Sequence, residues 1–156
     1  MIKEIERKFL IKKLPTDYFS NKHAEIIQGY ISVDGDGTEV RLRELDKTYT
    51  MTVKTGKGLI RDEYEITISL EHYNKFWPTT SGRRIKKTRY YLPYNEFIIQ
   101  LDVYHGHLKG LFVAEIEFCS VDESATFVPP QWFGEEVTTD VKYKNKNIAI
   151  YGINLR

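Results

Sequence analysis

The chain has 156 residues, with 23 Lys and Arg against 22 Asp and Glu, so its formal charge of +1 gives no global field toward nucleic acid or an anionic membrane. Its 41% hydrophobic and 29% charged residues suit a single domain over 1–156 that is large enough to bury a core. One cysteine, Cys119, excludes an intrachain disulfide and a multi-cysteine zinc site, and the absence of an eighteen-residue apolar run or a signal-peptide pattern makes the cytoplasm the expected location.

Eleven Tyr and eight Phe, with many Val, Ile and Thr, lean toward strands. Residues 2–12 read as a strand that stops before Pro15, with Glu4, Glu6 and Lys8 on one face and Ile5, Arg7 and Phe9 on the other. A short helix is expected within 15–23, then a strand over 25–33. Asp34-Gly35-Asp36-Gly37 reads as a hairpin turn, since a calcium loop would need a third acidic position and a later Glu. Strand 38–46 puts Glu39, Arg41 and Arg43 on one face, and after a tight turn at Asp46-Lys47, strand 48–55 puts Thr50, Thr52 and Lys54 on one face. Gly56-Lys57-Gly58 is a second hairpin turn without the spacing of a phosphate loop. Strand 59–69 aligns Arg61, Glu63, Glu65 and Thr67.

Ser69 caps an expected helix over 70–77 that Pro78 ends. Strands follow at 84–93, with Lys87 and Arg89 in step, at 96–104, with Gln100 and Asp102 in step, and at 111–119, with Glu115 and Glu117 opposite Ala114, Ile116 and Phe118. The remainder reads as irregular, apart from a short helix near 144–151. Trp77, Trp132 and Phe133 read as packing aromatics under the short helices, and His105-Gly106-His107 as an exposed turn.

The expected fold is therefore mainly β with minor α, its eight strands joined mostly by short turns into an antiparallel sheet. Seven acids (Glu4, Glu6, Glu63, Glu65, Asp102, Glu115, Glu117) and seven bases (Lys8, Arg41, Arg43, Lys54, Arg61, Lys87, Arg89) recur at strand spacing opposite apolar residues. An open sheet facing water would mix in more Ser, Thr, Asn and Gln. A closed eight-stranded barrel with a wet, polar lumen accounts for the pattern better, since dry unpaired charges would each cost several kcal/mol. The Glu-x-Glu pairs offer hard oxygen ligands suited to Mg2+ or Mn2+, and two such cations would leave the lumen positive enough for a polyanion such as triphosphate. Arg41 and Arg43 could clamp phosphoryl oxygens, with two metals stabilising developing charge. No Ser-His-Asp or Cys-His arrangement competes as a nucleophilic site.

Glu4-Ile5-Glu6-Arg7-Lys8 resembles the N-terminal ExExK signature of the CYTH superfamily, the triphosphate tunnel metalloenzymes. Gln28-Gly29-Tyr30, Arg41-Leu42-Arg43, Thr52-Val53-Lys54, Glu63-Tyr64-Glu65, Lys87-Thr88-Arg89, Asp102, Glu115-Ile116-Glu117, Glu136-Val137-Thr138 and the stretch Asn145 to Ala149 match in order. The resemblance implies a closed eight-stranded antiparallel tunnel with a few flanking helices. It implies Glu4, Glu6, Glu115 and Glu117 as metal ligands, helped by Glu63 and Glu65, and Lys8, Arg41, Arg43, Lys54, Lys87 and Arg89 as phosphate binders. Lys87 would also assist the leaving group, Tyr30 is a candidate proton acceptor, Asp102 would orient neighbouring bases, and Arg61 would lie at the mouth. Among the superfamily's activities, a short form without an insertion for a base or thiazolium group most resembles the tripolyphosphatases. The expected reaction is therefore hydrolysis of inorganic triphosphate to pyrophosphate and phosphate. Nucleoside triphosphatase, class IV adenylyl cyclase and thiamine triphosphatase are the enzymatic alternatives, and a polyphosphate- or RNA-binding barrel, suggested by the basic cluster Arg83, Arg84, Lys86, Lys87 and Arg89, is the non-enzymatic one. Because the expected helices are too few to cover an apolar barrel exterior, a homodimer is expected.

Overall fold

The structure, a computed structural model, describes residues 2–33 and 35–154, and only the backbone of Val33; Asp34 of the first hairpin turn lies outside the described residues. The strands are β1 (Ile2–Ile11), β2 (His23–Val33), β3 (Glu39–Leu45), β4 (Thr48–Thr55), β5 (Ile60–Thr67), β6 (Arg84–Tyr94), β7 (Phe97–Tyr104), β8 (Phe112–Glu117) and β9 (Phe133–Glu136). Three short helices accompany them: α1 (Leu70–Phe76), α2 (Val121–Thr126) and α3 (Asn145–Tyr151). All pairings are antiparallel, in the order β5-β4-β3-β2-β6-β7-β8-β1-β9.

The pairing of β5 with β1, from Ile2↔Glu63 to Ile5↔Ile60, closes eight of these strands into a barrel. β8 takes one edge of β1 from Glu6 to Leu10, so β5 and β9 divide the other edge between them. Closure removes the exposed sheet edge that would otherwise invite strand addition. The β3–β4 hairpin is the tight turn expected at Asp46-Lys47. Both residues have positive φ (46° and 65°), which matches the right-handed twist of the flanking strands.

Three expectations are corrected. The helix within 15–23 is only a 3-10 turn at Tyr18–Ser20, where no residue is buried to anchor anything longer. The region after 119 is not irregular: Ser120 caps α2 by accepting from the Glu123 N–H at 3.0 Å, and β9 is a ninth strand docked beside β1. The lumen is also not polar throughout its length. At one end the inward-facing Tyr30, Ile85, Tyr104 and Val113 pack with Leu108, Leu111 and with Ile148 and Ala149 of α3, so the C-terminal helix plugs the bore.

A second apolar cluster lies on the outer wall of β1, β6, β7 and β8. There Ile5, Phe9, Leu92, Ile99, Leu101, Ala114, Ile116 and Phe118 are covered by Phe127 and Phe133, with Trp132 beside them. Phe9 meets Phe133 at 4.8 Å between ring centroids. On the opposite wall, Trp77 stacks on Tyr73 of α1 at 5.1 Å and Arg84 lies over its ring at 4.5 Å. The close approach of this cap requires Gly29, where an added Cβ would sit 2.6 Å from the Thr80 side chain. No helix among the described residues is long and apolar enough to cross a membrane.

Candidate active site

Strand alternation turns one face of each barrel strand inward, and in the middle of the bore that face is charged. The resulting chamber has a volume of about 220 Å³ and is lined by Glu4, Glu6, Gln28, Arg41, Arg43, Lys54, Glu63, Glu65, Lys87, Arg89, Glu115, Glu117 and Asn145. Every lining residue is charged or an amide, with six carboxylates against five bases. The expected convergence of distant acids and bases is present.

Most of these charges are already matched. Lys54 Nζ contacts Glu4 at 2.6 Å and Glu63 at 3.3 Å, while Glu65 lies 3.7 Å from Arg41, 3.6 Å from Arg43 and accepts from the Thr52 hydroxyl at 2.7 Å. Arg89 donates to Asp102 at 2.7 Å and to Glu115 at 3.0 Å, and Lys8 reaches Glu115 at 3.1 Å. Burial alone would push the Glu115 carboxyl up, but Lys8 and Arg89 together hold it well below the usual carboxylate range. Glu115 is thus a counter-ion to Lys8 and Arg89, Glu65 to Arg41 and Arg43, and Glu63 shares Lys54 with Glu4.

Asp102 is fully buried behind the chamber and accepts from both Lys87, at 2.5 Å, and Arg89. This is the orienting role the resemblance implies. Burial pushes the Lys87 ammonium down to about 8 despite Asp102, with Arg89 adding to the shift. Arg41 Nε and Arg43 Nε are buried donors with no partner.

Lys8 and Tyr30 are not at the chamber but at a narrower neck next to it, of about 50 Å³, shared with Glu6, Glu39, Arg41, Lys54, Arg61, Lys144 and Asn145 among others. Lys8 donates to Tyr143 O at 3.1 Å. The Tyr30 phenol accepts from Gln28 Nε2 at 3.1 Å, and burial followed by the charge of Glu39 raises its pKa strongly. Arg61 sits at this neck, 3.3 Å from Glu39.

The sequence motifs contain Gln28 and Asn145 without assigning either a role, and Tyr104 falls outside them. For Gln28 and Tyr104 the signal was their phase with Tyr30 and Asp102. For Asn145 there was no such signal, since it arrives from the C-terminal helix. Two members of the basic cluster hold the structure together, since Arg83 donates to Tyr30 O, Ile31 O and Thr79 O, and Arg84 to Thr80 Oγ1 and Trp77 O, while Lys86 is exposed. His107 is exposed as expected, but His105 is half-buried, with Nε2 2.7 Å from the Thr88 hydroxyl.

The CYTH domain model matches residues 2–147 of the chain. An inorganic triphosphatase of Nitrosomonas europaea is 47% identical over 150 residues, covering 94% of this chain and 97% of that protein. An inorganic triphosphatase of Acetivibrio thermocellus is 36% identical over 153 residues, covering 96% and 94%. Among solved structures, the crystal structure of an inorganic triphosphatase superposes with a TM-score of 0.71 at 42% identity, covering 96% of each chain. The chain belongs to the CYTH domain family. Its architecture is that of the triphosphate tunnel proteins, which depend on a divalent metal.

In this CYTH barrel, the residues that fit such a cation are Glu4, Glu6 and Glu117, each offering an oxygen within 4.8 Å of the others. Two observations support the fit. Glu4 Oε2 is buried without a partner, and the Glu6 carboxyl is raised by burial and by the charges of Glu115 and Glu4. Among the described residues, Glu6 and Glu117 form no ion pair, so these carboxylates repel one another until a cation joins them. All three are hard oxygen donors. Adding Mg2+ or Mn2+ to metal-free protein is therefore expected to raise its melting temperature. In Glu6→Gln that rise should be largely lost; an equal rise in the variant would remove Glu6 from the metal set.

Proposed function

We propose that the protein hydrolyses inorganic triphosphate to pyrophosphate and phosphate in a reaction dependent on Mg2+ or Mn2+. The observation that carries this reading is the lining of the chamber. A nucleobase or thiazolium ring would need an apolar or stacking wall, and every lining residue here is charged or an amide. Relatives of matching length named inorganic triphosphatase support it.

Arg41 and Arg43 face the chamber with free Nε donors and loose contacts to Glu65, so both can exchange that carboxylate for phosphoryl oxygens. Lys54 and Arg89 add positive charge on neighbouring walls, and Lys8 does so from the neck. Glu4, Glu6 and Glu117 would hold the divalent cation, whose Lewis-acid charge would offset that of the phosphoryl oxygens. Glu63, Glu65 and Glu115 would hold a second cation once their bases turn to phosphate.

Water adds to the terminal phosphorus and passes a proton to an oxygen of the phosphate being formed, the bond from that phosphorus to the bridging oxygen breaks, and the bridging oxygen leaves on pyrophosphate. Lys87, held by Asp102, donates the proton that the leaving oxygen takes up. Tyr30 would take the water's proton only by ionising against burial and Glu39, so it serves instead to position Gln28.

Hydrolysis is preferred to the RNA-binding alternative because Arg83 and Arg84 donate to backbone and threonine oxygens. The location proposed is the cytoplasm. On the outer wall of β5, Tyr64 and Ile66 remain exposed, and a homodimer covering them is part of the proposal. Sedimentation should show a dimer at micromolar concentration, and a monomer there would remove that part.

A panel of inorganic, nucleoside and thiamine triphosphates assayed with Mg2+ and Mn2+ should give the highest kcat/KM with inorganic triphosphate. Cyclic nucleotide formation without phosphate release from tripolyphosphate would overturn the reading. Because Lys87 acts as an acid, kcat/KM should fall as pH rises through about 8, where the free ammonium loses its proton. Lys87→Arg, protonated at every working pH, should lose that descending limb; an unchanged limb would assign the titration to another group.

A further inference from the structure

All the charged residues of the chamber arrive on barrel strands, but one lining side chain does not. Asn145 opens α3, the helix that plugs the bore, and it lines both the chamber and the neck. Its position is fixed from several directions. Ile148 and Ala149, on the same helix, are packed among Tyr30, Ile85, Tyr104 and Val113. Lys8 donates to the carbonyl of Tyr143, two residues earlier, at 3.1 Å. The buried Lys146 reaches to 3.9 Å from Glu39.

The orientation of the amide follows from its partner. The Tyr104 hydroxyl lies 2.6 Å from Asn145 Oδ1. Tyr104 is fully buried, and burial together with the charges of Asp102 and Glu115 keeps its phenol protonated. The protonated phenol donates to the amide oxygen, and the NH2 group is left for the lumen. The same Tyr104 ring lies 5.4 Å from Lys87 Nζ, so the amide and the proposed proton donor share one support.

We propose that Asn145 is a further substrate-binding residue: its side-chain NH2, turned into the bore by the Tyr104 hydroxyl, donates to a phosphoryl oxygen where the chamber meets the neck. This rests on the triphosphate reading above and deepens it, because it makes the plugging helix part of the substrate site. A neutral donor suits that location. It adds no charge to a region already holding Lys8, Arg41 and Lys54, and it cannot be neutralised by the nearby Glu6.

Asn145→Asp separates binding from support. Aspartate keeps an oxygen to accept from Tyr104 but replaces the donor with a carboxylate that repels phosphate. Tripolyphosphate binding to metal-free protein in EDTA should weaken about tenfold or more in Asn145→Asp, the scale of a lost hydrogen bond to a charged group, and less in Asn145→Ala. Both variants should keep the melting temperature of the parent to within a few degrees, and the loss of activity should appear mainly in KM. A purely supporting role predicts the reverse order, with Asp close to the parent and Ala impaired, and that result would overturn the inference. If the parent protein itself fails to bind tripolyphosphate even with Mg2+ present, it is the triphosphate reading that fails. If the parent binds and Asn145→Asp binds equally well, only the role of Asn145 fails.

Discussion

The rest of the structure depends on one constraint: charges of both signs are enclosed in a barrel and must satisfy one another until a ligand arrives. Desolvated charges left alone would cost several kcal/mol each. The sheet meets this by register. Glu6 lies opposite Glu117 and Lys8 opposite Glu115 across β1 and β8, while Arg89 lies opposite Asp102 across β6 and β7. Each base so placed has a carboxylate in reach. Glu4 shares Lys54 with Glu63, Glu6 and Glu117 form no ion pair among the described residues, and carboxylate oxygens of these three acids, Glu4, Glu6 and Glu117, crowd together. The crowding of these three acids fits a cation, and the pairing of the bases leaves carboxylates that an anion can replace.

Closure and plugging make that enclosure possible. β5 covers only the first part of the free edge of β1, and β9 continues along it. The segment between α2 and β9 also covers the aromatic cluster on the outer wall, so Phe127 and Phe133 stabilise the wall from outside. At the other end, α3 fills the bore with Ile148 and Ala149. The apolar half of the lumen anchors the helix that supplies Asn145, and the polar half receives it. Packing and site are thus two halves of one bore.

Much of this was readable in the sequence because strand period and charge coincided. Glu4, Glu6, Arg41, Arg43, Lys54, Glu63, Glu65, Lys87, Arg89, Glu115 and Glu117 all reach the chamber, as their alternation requires. Two kinds of information were missing. The first was the partition of the acids. Glu4, Glu63, Glu65 and Glu115 look like Glu6 and Glu117 in sequence, and only the structure shows that they are engaged by bases. The second was the C-terminal third. β9 is only four residues, Phe-Gly-Glu-Glu, too short and too polar to show a period, and it forms because β1 offers an edge. Lys8 and Tyr30 share the inward phase, but which level of the bore they occupy depends on shear and on where α3 stops.

The central claim is that the crowded carboxylates of the lumen form a cation site within an anion chamber. The most direct measurement is anomalous diffraction from crystals of the protein soaked in Mn2+. The account predicts a peak bounded by Glu4, Glu6 and Glu117. A barrel that binds Mn2+ only on its outer surface, or against Glu63 and Glu65 with those three carboxylates left bare, would contradict it.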